Sequence, residues 1–235
     1  MVTERETPWG YLAIPSSIRE QVDKDTPKLD WVTLEQQLRE SCEDPLYEWL
    51  LLSHVSLPIE NEPLLSTRSA QNMYCYAFEG LPFFIKKSET TESFTHGDAV
   101  SEMLFDLDCC LKMTELPSSC SYSVKSPSPG LHAVINAVAA RARLDHYRLT
   151  GTEWELSVHE VALLARMREL SVRNAASPKS KTPISTSKSD EGVTIVETSE
   201  ANRWLSERRR YVPTQLPETQ HQIDAMIAAI EEWAL

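Results

Sequence analysis

Apolar residues recur at three- and four-residue spacing through most of this chain, a period that predicts helices rather than strands. In 31–40, WVTLEQQLRE, Trp31, Leu34 and Leu38 share one face, with Thr33 as a cap before Glu35 and Gln36. Asp44-Pro45 opens a helix from Leu46 to Val55, where Leu46, Trp49, Leu50, Leu52 and Leu57 leave so little polar face that it reads as internal. The stretch 68–85, RSAQNMYCYAFEGLPFFI, fits either a helix to Phe78 ended by Gly80 and Pro82 or a short strand over 73–78. Residues 97–113 read as a helix with Val100, Met103, Leu104, Leu107 and Leu111 inward.

Residues 117–130, PSSCSYSVKSPSPG, interrupt the pattern. Three prolines and a glycine among serines cannot continue a helix, which makes this a linker or long loop. From Leu131 to Leu149 the helical period returns, with Leu131, Val134, Ile135, Val138, Ala142 and Leu144 or Tyr147 inward and Gly151 as the stop. The chain therefore divides into an acidic, mainly helical module (1–116), the linker (117–130) and a second unit (131–235).

In LSVHEVALLARMRELSVRN, residues 156–174, two short helices are joined by a tight turn. Ser157 and Glu160 have the spacing of a capping box, which marks a helix start. Val158, Val161, Ala162, Leu164 and Ala165 form the apolar stripe, and Met167 and Leu170 fill the corner. A second helix is expected from Ser171, with Val172 inward and Ser171, Arg173 and Asn174 outward. Arginine reads a guanine edge, asparagine reads adenine, and serine reaches a base or a phosphate, so these are the side chains expected to contact DNA. A helix N-terminus also offers free amides to phosphate. Next, Ile184–Thr186 and Val193–Val196 can pair as a hairpin across an Asp-Glu-Gly turn, with Lys179, Lys181 and Lys188 directed at a phosphate backbone. Thr198 or Ser199 then caps a helix in which Trp204 and Leu205 face the core. Arg203, Arg208, Arg209 and Arg210 stay in solvent, and the last three also suit the negative end of that helix.

Charge sharpens this picture. The 235-residue chain carries a formal charge of −12, yet residues 1–130 hold 10 Lys+Arg against 21 Asp+Glu while residues 131–235 hold 13 against 14. Within 166–188, Arg166, Arg168, Arg173, Lys179, Lys181 and Lys188 oppose only Glu169. A phosphate responds to that local excess, while the acidic half weakens long-range attraction. Arg166, Arg168, Arg208 and Arg209 are further basic candidates for DNA contact.

The run from Ser157 to Ala176, the wing, and 200–213, EANRWLSERRRYVP, with its A-x-x-W-L motif, resemble the small winged helix-turn-helix of excisionase-like and MerR-like regulators. The resemblance covers about 60 of the 235 residues, no coiled coil follows the wing, and residues 1–130 have no counterpart in it. It implies that the second helix enters the major groove through Ser171, Arg173 and Asn174, and that the wing reaches the backbone through Lys179, Lys181 and Lys188. The expected fold is mainly α: a helical N-terminal module, then a winged helix-turn-helix with a short β-hairpin and a C-terminal helix.

That last helix, in PETQHQIDAMIAAIEEWAL, has a stripe of Ile223, Met226, Ile227, Ile230 and Trp233. It either docks on its own domain or pairs with a second copy. A homodimer reading a palindromic site is the expectation, since one small winged unit covers little duplex. Catalysis is not expected. His96 with Asp98, Cys109 with Cys110, and Cys120 with His132 lack CxxC or HxxxH spacing, Asp106 and Asp108 do not face each other on a helix, and no glycine-rich phosphate loop occurs. No cofactor or metal is implied. Five cysteines suit a reducing compartment, and neither a membrane span nor a signal peptide is evident, so a cytoplasmic protein is expected. The expected activity is sequence-specific binding of double-stranded DNA by a transcriptional regulator. The alternative is a non-catalytic interaction module whose acidic N-terminal half contacts a protein partner.

Overall fold

A computed structural model describes residues 16–38, 65–82, 129–189 and 192–234. Secondary structure follows the order α1 (Ser16–Asp25), a 3-10 turn (Thr26–Lys28), α2 (Trp31–Leu38), α3 (Leu65–Glu79), α4 (Pro129–Thr150), β1 (Glu155–Ser157), α5 (Val158–Leu164), α6 (Glu169–Ala175), β2 (Ser187–Lys188), β3 (Thr194–Glu197), α7 (Thr198–Ser206) and α8 (Gln220–Ala234). The mainly helical fold with a small antiparallel sheet is the expected one. The expected helices over 46–55 and 97–113, and residues 117–128 of the linker, lie outside the described residues, as do His96, Asp98, Asp106, Asp108, Cys109, Cys110 and Cys120.

The centre of the fold is α4. Its five alanines keep the surface low, so helices approach on several sides, and Leu131, Val134, Ala137, Val138, Ala140, Ala142 and Leu144 are all buried. It begins at Pro129, two residues before the expected start, because proline is tolerated in a first helical turn. Gly151 ends it with φ +78° and an amide donating to the Tyr147 carbonyl at 2.7 Å. Helices α1, α2, α3, α5, α7 and α8 all pack on it, so the described parts of the N-terminal half share one core with the winged unit.

The stretch 73–78 is helical rather than extended. Met73, Tyr74, Tyr76, Ala77 and Phe78 are buried, and Gly80, at φ +68°, ends the element where the sequence places the break. A β-carbon there would lie 2.4 Å from the Pro213 carbonyl oxygen, so glycine is required both by the backbone and by the contact. In α2 the cap is Asp30 rather than Thr33. Its carboxylate accepts from the Thr33 amide and hydroxyl, both at 3.0 Å, while Leu34 is buried and Trp31 rests against Tyr74.

Polar groups lie between these helices. The Asp145 carboxylate accepts from the Tyr76 hydroxyl (2.9 Å), the Thr214 hydroxyl (2.6 Å) and Arg148 (3.0 Å). Arg141, fully buried, donates to the Ala77 carbonyl and to Thr214, both at 2.9 Å, and lies over the Tyr211 ring. The network ties α3, α4 and the segment before α8 together. Burial pushes the Asp145 carboxyl up, against Arg141, Arg148 and the two hydroxyls, which favour its charged form.

Helix α8 docks within the chain. Met226 and Ile230 are buried in the common core, Ile223 and Ile227 are half-buried, and the Trp233 side chain lies outside the described residues. A polar latch fixes the same contact. The Trp154 indole N–H donates to His146 Nδ1 at 3.0 Å, which leaves the imidazole proton on Nε2, facing Glu231 Oε1 at 3.3 Å.

His132, buried at the start of α4, carries a pH prediction. Burial lowers its pKa from 6.5 to about 4. Between those values the unfolded chain takes up a proton that the folded chain refuses, so stability falls as pH falls through this window. Urea titrations should show a loss of about 1.5 kcal/mol between pH 6.5 and 5 that His132→Phe abolishes. An unchanged slope in the variant would refute this assignment.

Candidate nucleic-acid interface

The helix-turn-helix is organised by local chemistry. Ser157 Oγ accepts from the Glu160 amide (3.2 Å) while Glu160 accepts from the Ser157 amide (2.7 Å), completing the capping box expected from the sequence. Helix α5 ends with Arg166 in the left-handed region at φ +52°. The Met167 amide returns to the Ala162 carbonyl (2.9 Å) and the Arg166 amide to Leu163 (3.0 Å), a Schellman closure with arginine where glycine is usual. Contacts of its own offset that backbone cost of roughly 1–2 kcal/mol. The Arg166 guanidinium donates to the Leu29 carbonyl and packs over the Phe78 ring. Arg166, counted from the sequence among the basic candidates for DNA contact, is thus engaged within the chain as an internal anchor.

Helix α6 starts at Glu169, two residues before the expected Ser171, because Glu169 is itself an organising residue. Its carboxylate, almost buried, meets His159 Nδ1 (3.1 Å), Arg173 Nε (2.9 Å) and Arg19 (3.4 Å). The hydrogen bond from His159 and those from Arg173 hold its pKa down to about 2. The Glu169 amide is occupied by the Asp23 carboxylate from α1, so this helix end is not open to phosphate as the sequence suggested. Ser171 and Asn174 are exposed, and Val172 is buried beneath them. Arg173 is also exposed but lies along its own helix on Glu169. Leu170, 64% exposed, belongs to the same face.

The wing is shifted from its expected register. Strand β2 is Ser187–Lys188, pairing Ser187 with Ile195 and Lys188 with Thr194, whereas Ile184 is buried and its amide donates to Ala175 (3.1 Å). Ile184 is therefore a core residue that pins the loop leaving α6. The third strand, β1, was not legible as a strand, and it pairs antiparallel with β3 to give the order β1–β3–β2. Lys179 and Lys181 are exposed on the loop before the wing. Lys188 lies on the wing, its Nζ donating to Thr194 Oγ1 at 2.7 Å.

Helix α7 is capped from a distance. Glu153 accepts from the Thr198 hydroxyl (2.9 Å) and the Ser199 amide (3.1 Å), so neither Thr198 nor Ser199 supplies the expected side-chain cap. Trp204 and Leu205 are buried as expected, with the indole N–H on the Thr182 carbonyl (3.0 Å). Arg208 stacks 4.1 Å from the Trp204 ring centre and is half-buried, which gives it a packing role rather than the solvent position expected. Arg203 is spent on Glu200 and Glu207. Arg168 and Arg209 are exposed.

The architecture is winged-helix-like: helix, strand, two-helix turn, hairpin, helix, on a common core. Among the described residues, no three His, Cys, Asp or Glu side chains converge as a metal site, and no helix is long and apolar enough to cross a membrane. Comparison with protein-family models, curated proteins and solved structures gives no match.

Proposed function

We propose that the winged unit binds double-stranded DNA sequence-specifically as a transcriptional regulator, with the outer face of α6 at the bases and Lys179, Lys181 and Lys188 on the phosphate backbone. One observation carries this reading. Ser171 and Asn174 are exposed on the second helix of a helix-turn-helix, and the loop and wing that leave that helix present three exposed lysines. Arg173 joins them only by leaving Glu169, so Asn174 is the stronger base-reading residue.

The wing lysines give the first test. Replacing Lys179, Lys181 and Lys188 by alanine should reduce the slope of log Kobs against log salt by about two to three, with similar losses on every sequence. Fluorescence anisotropy with a labelled duplex reads this, and a slope equal to wild type would reject the wing assignment. Pairing of two copies on a palindromic site remains part of the proposal, but among the described side chains its surface on α8 narrows to Ile223 and Ile227, since Met226 and Ile230 are buried. A light-scattering mass of 26.7 kDa, that of one chain, would remove it.

A protein partner in place of DNA is favoured by Leu170, an exposed leucine on this face. In that case Leu170→Ala, and not the lysine variant, would abolish the activity of the face.

A further inference from the structure

The described surface holds a second cluster of cations, assembled from three separate stretches of chain. Arg210 brings them together, its guanidinium donating to the Pro27 carbonyl at 3.0 Å and the Arg166 carbonyl at 3.3 Å. Lys28, Arg168 and Arg209 lie within two residues of those three points, and all are exposed, as is Arg210. The segment carrying Lys28 is firmly placed, because Val22, Thr26, Leu29 and Leu34 around it are buried. Lys28 is thus a fixed part of this face, although it comes from the acidic half of the chain.

Among the described residues, none of the nearby carboxylates is paired with Lys28, Arg168 or Arg209: Asp30 accepts from Thr33, Asp23 from the Glu169 amide and Asp25 from Gln21, while Glu207 pairs with Arg203 and Arg208. Asp23, Asp25 and Asp30 keep their negative charge and weaken the local potential without tying down the three cations. The side chains of Lys28, Arg168 and Arg209 make no hydrogen bond or ion pair among the described residues. Three exposed cations set within two residues of one backbone junction suit a multiply charged ligand.

We infer that Lys28, Arg168, Arg209 and Arg210 form a second phosphate-backbone contact for duplex DNA, at the opposite end of α6 from the lysine loop. This rests on the DNA-binding reading proposed above. Arg168 immediately precedes α6, and Lys179 and Lys181 follow it, so cations flank a helix about 10 Å long. The major groove is about 12 Å wide and bounded by phosphates on both sides, which matches that spacing. The N-terminal half thereby contributes directly to the DNA footprint.

The test compares Lys28→Ala/Arg168→Ala/Arg209→Ala with the wing-lysine variant on a labelled mixed-sequence duplex across roughly 50–200 mM salt. Arg210 is left in place because it bridges backbone segments. The cluster variant should keep the wild-type melting temperature and lower the salt slope by about two to three, and Arg168→Lys/Arg209→Lys should restore most of it. If the wing variant lowers the slope and the cluster variant does not, the inference fails while the DNA reading stands. If wild-type protein gives no salt-dependent binding, both fail. Retention of the duplex slope with loss of binding to poly-glutamate assigns the face to an acidic protein and also overturns the inference.

Discussion

Asp145→Ala is expected to remove about 3–5 kcal/mol of unfolding free energy, the largest stability effect of any single substitution considered for this fold. The side chain is fully buried and accepts from Tyr76, Thr214 and Arg148 at once. Alanine removes the carboxylate that the Tyr76 and Thr214 hydroxyls donate to, and it strips Arg141 of a compensating charge. An uncompensated buried charge costs more than the pair contributes, so the paired replacement Arg141→Met/Asp145→Leu should recover much of the loss. Urea unfolding of the three proteins measures this. A loss under about 1 kcal/mol for Asp145→Ala would mean that water satisfies the site and that the network does not hold α3 to α4.

The largest effect on binding is expected at Asn174. On a duplex chosen for tight binding, Asn174→Ala should weaken affinity about 10- to 100-fold, corresponding to about 1–3 kcal/mol for a lost bidentate base contact. On an unrelated duplex the change should be small, because phosphate contacts carry non-specific affinity. The melting temperature should not move, since the side chain is exposed. Arg173→Ala is a poorer probe. It also releases Glu169, whose carboxylate links α6 to His159 in α5 and Arg19 in α1. Equal affinity of wild type and Asn174→Ala for the chosen duplex would reject the groove-facing role of α6.

The parts of this fold that were legible in the sequence are those set by local rules. The capping box at Ser157 and Glu160 depends on residues three apart, and the burial of Trp204 and Leu205 follows from helical period. What escaped depends on distant partners. Strand β1 is three residues long and is defined by its pairing with β3 some 40 residues later. Glu169 looked like one acid in a basic stretch, but its neighbours Arg19 and Asp23 come from α1, about 150 residues earlier. Arg166 and Arg208 counted as free cations because composition cannot register the rings of Phe78 and Trp204 on which they pack. The stripe on α8 predicted an apolar contact without specifying its partner, and Met226 and Ile230 found it within the same core.

Arg168 and Lys28 illustrate the same limit at the candidate interface. Their sequence separation conceals that Arg210 holds their segments together. Net charge therefore misleads at the level of the whole chain: an acidic total coexists with an α6 flanked by unspent cations.

DNA binding by α6 and the wing is tested most directly by titrating isotope-labelled protein with a short duplex and following backbone amide resonances. Salt-sensitive shifts are expected to concentrate at residues 168–174, 179–181 and 187–194, with the core of α4 unperturbed. An unchanged spectrum at millimolar duplex, or shifts confined to surfaces away from α6 and the wing, would contradict it.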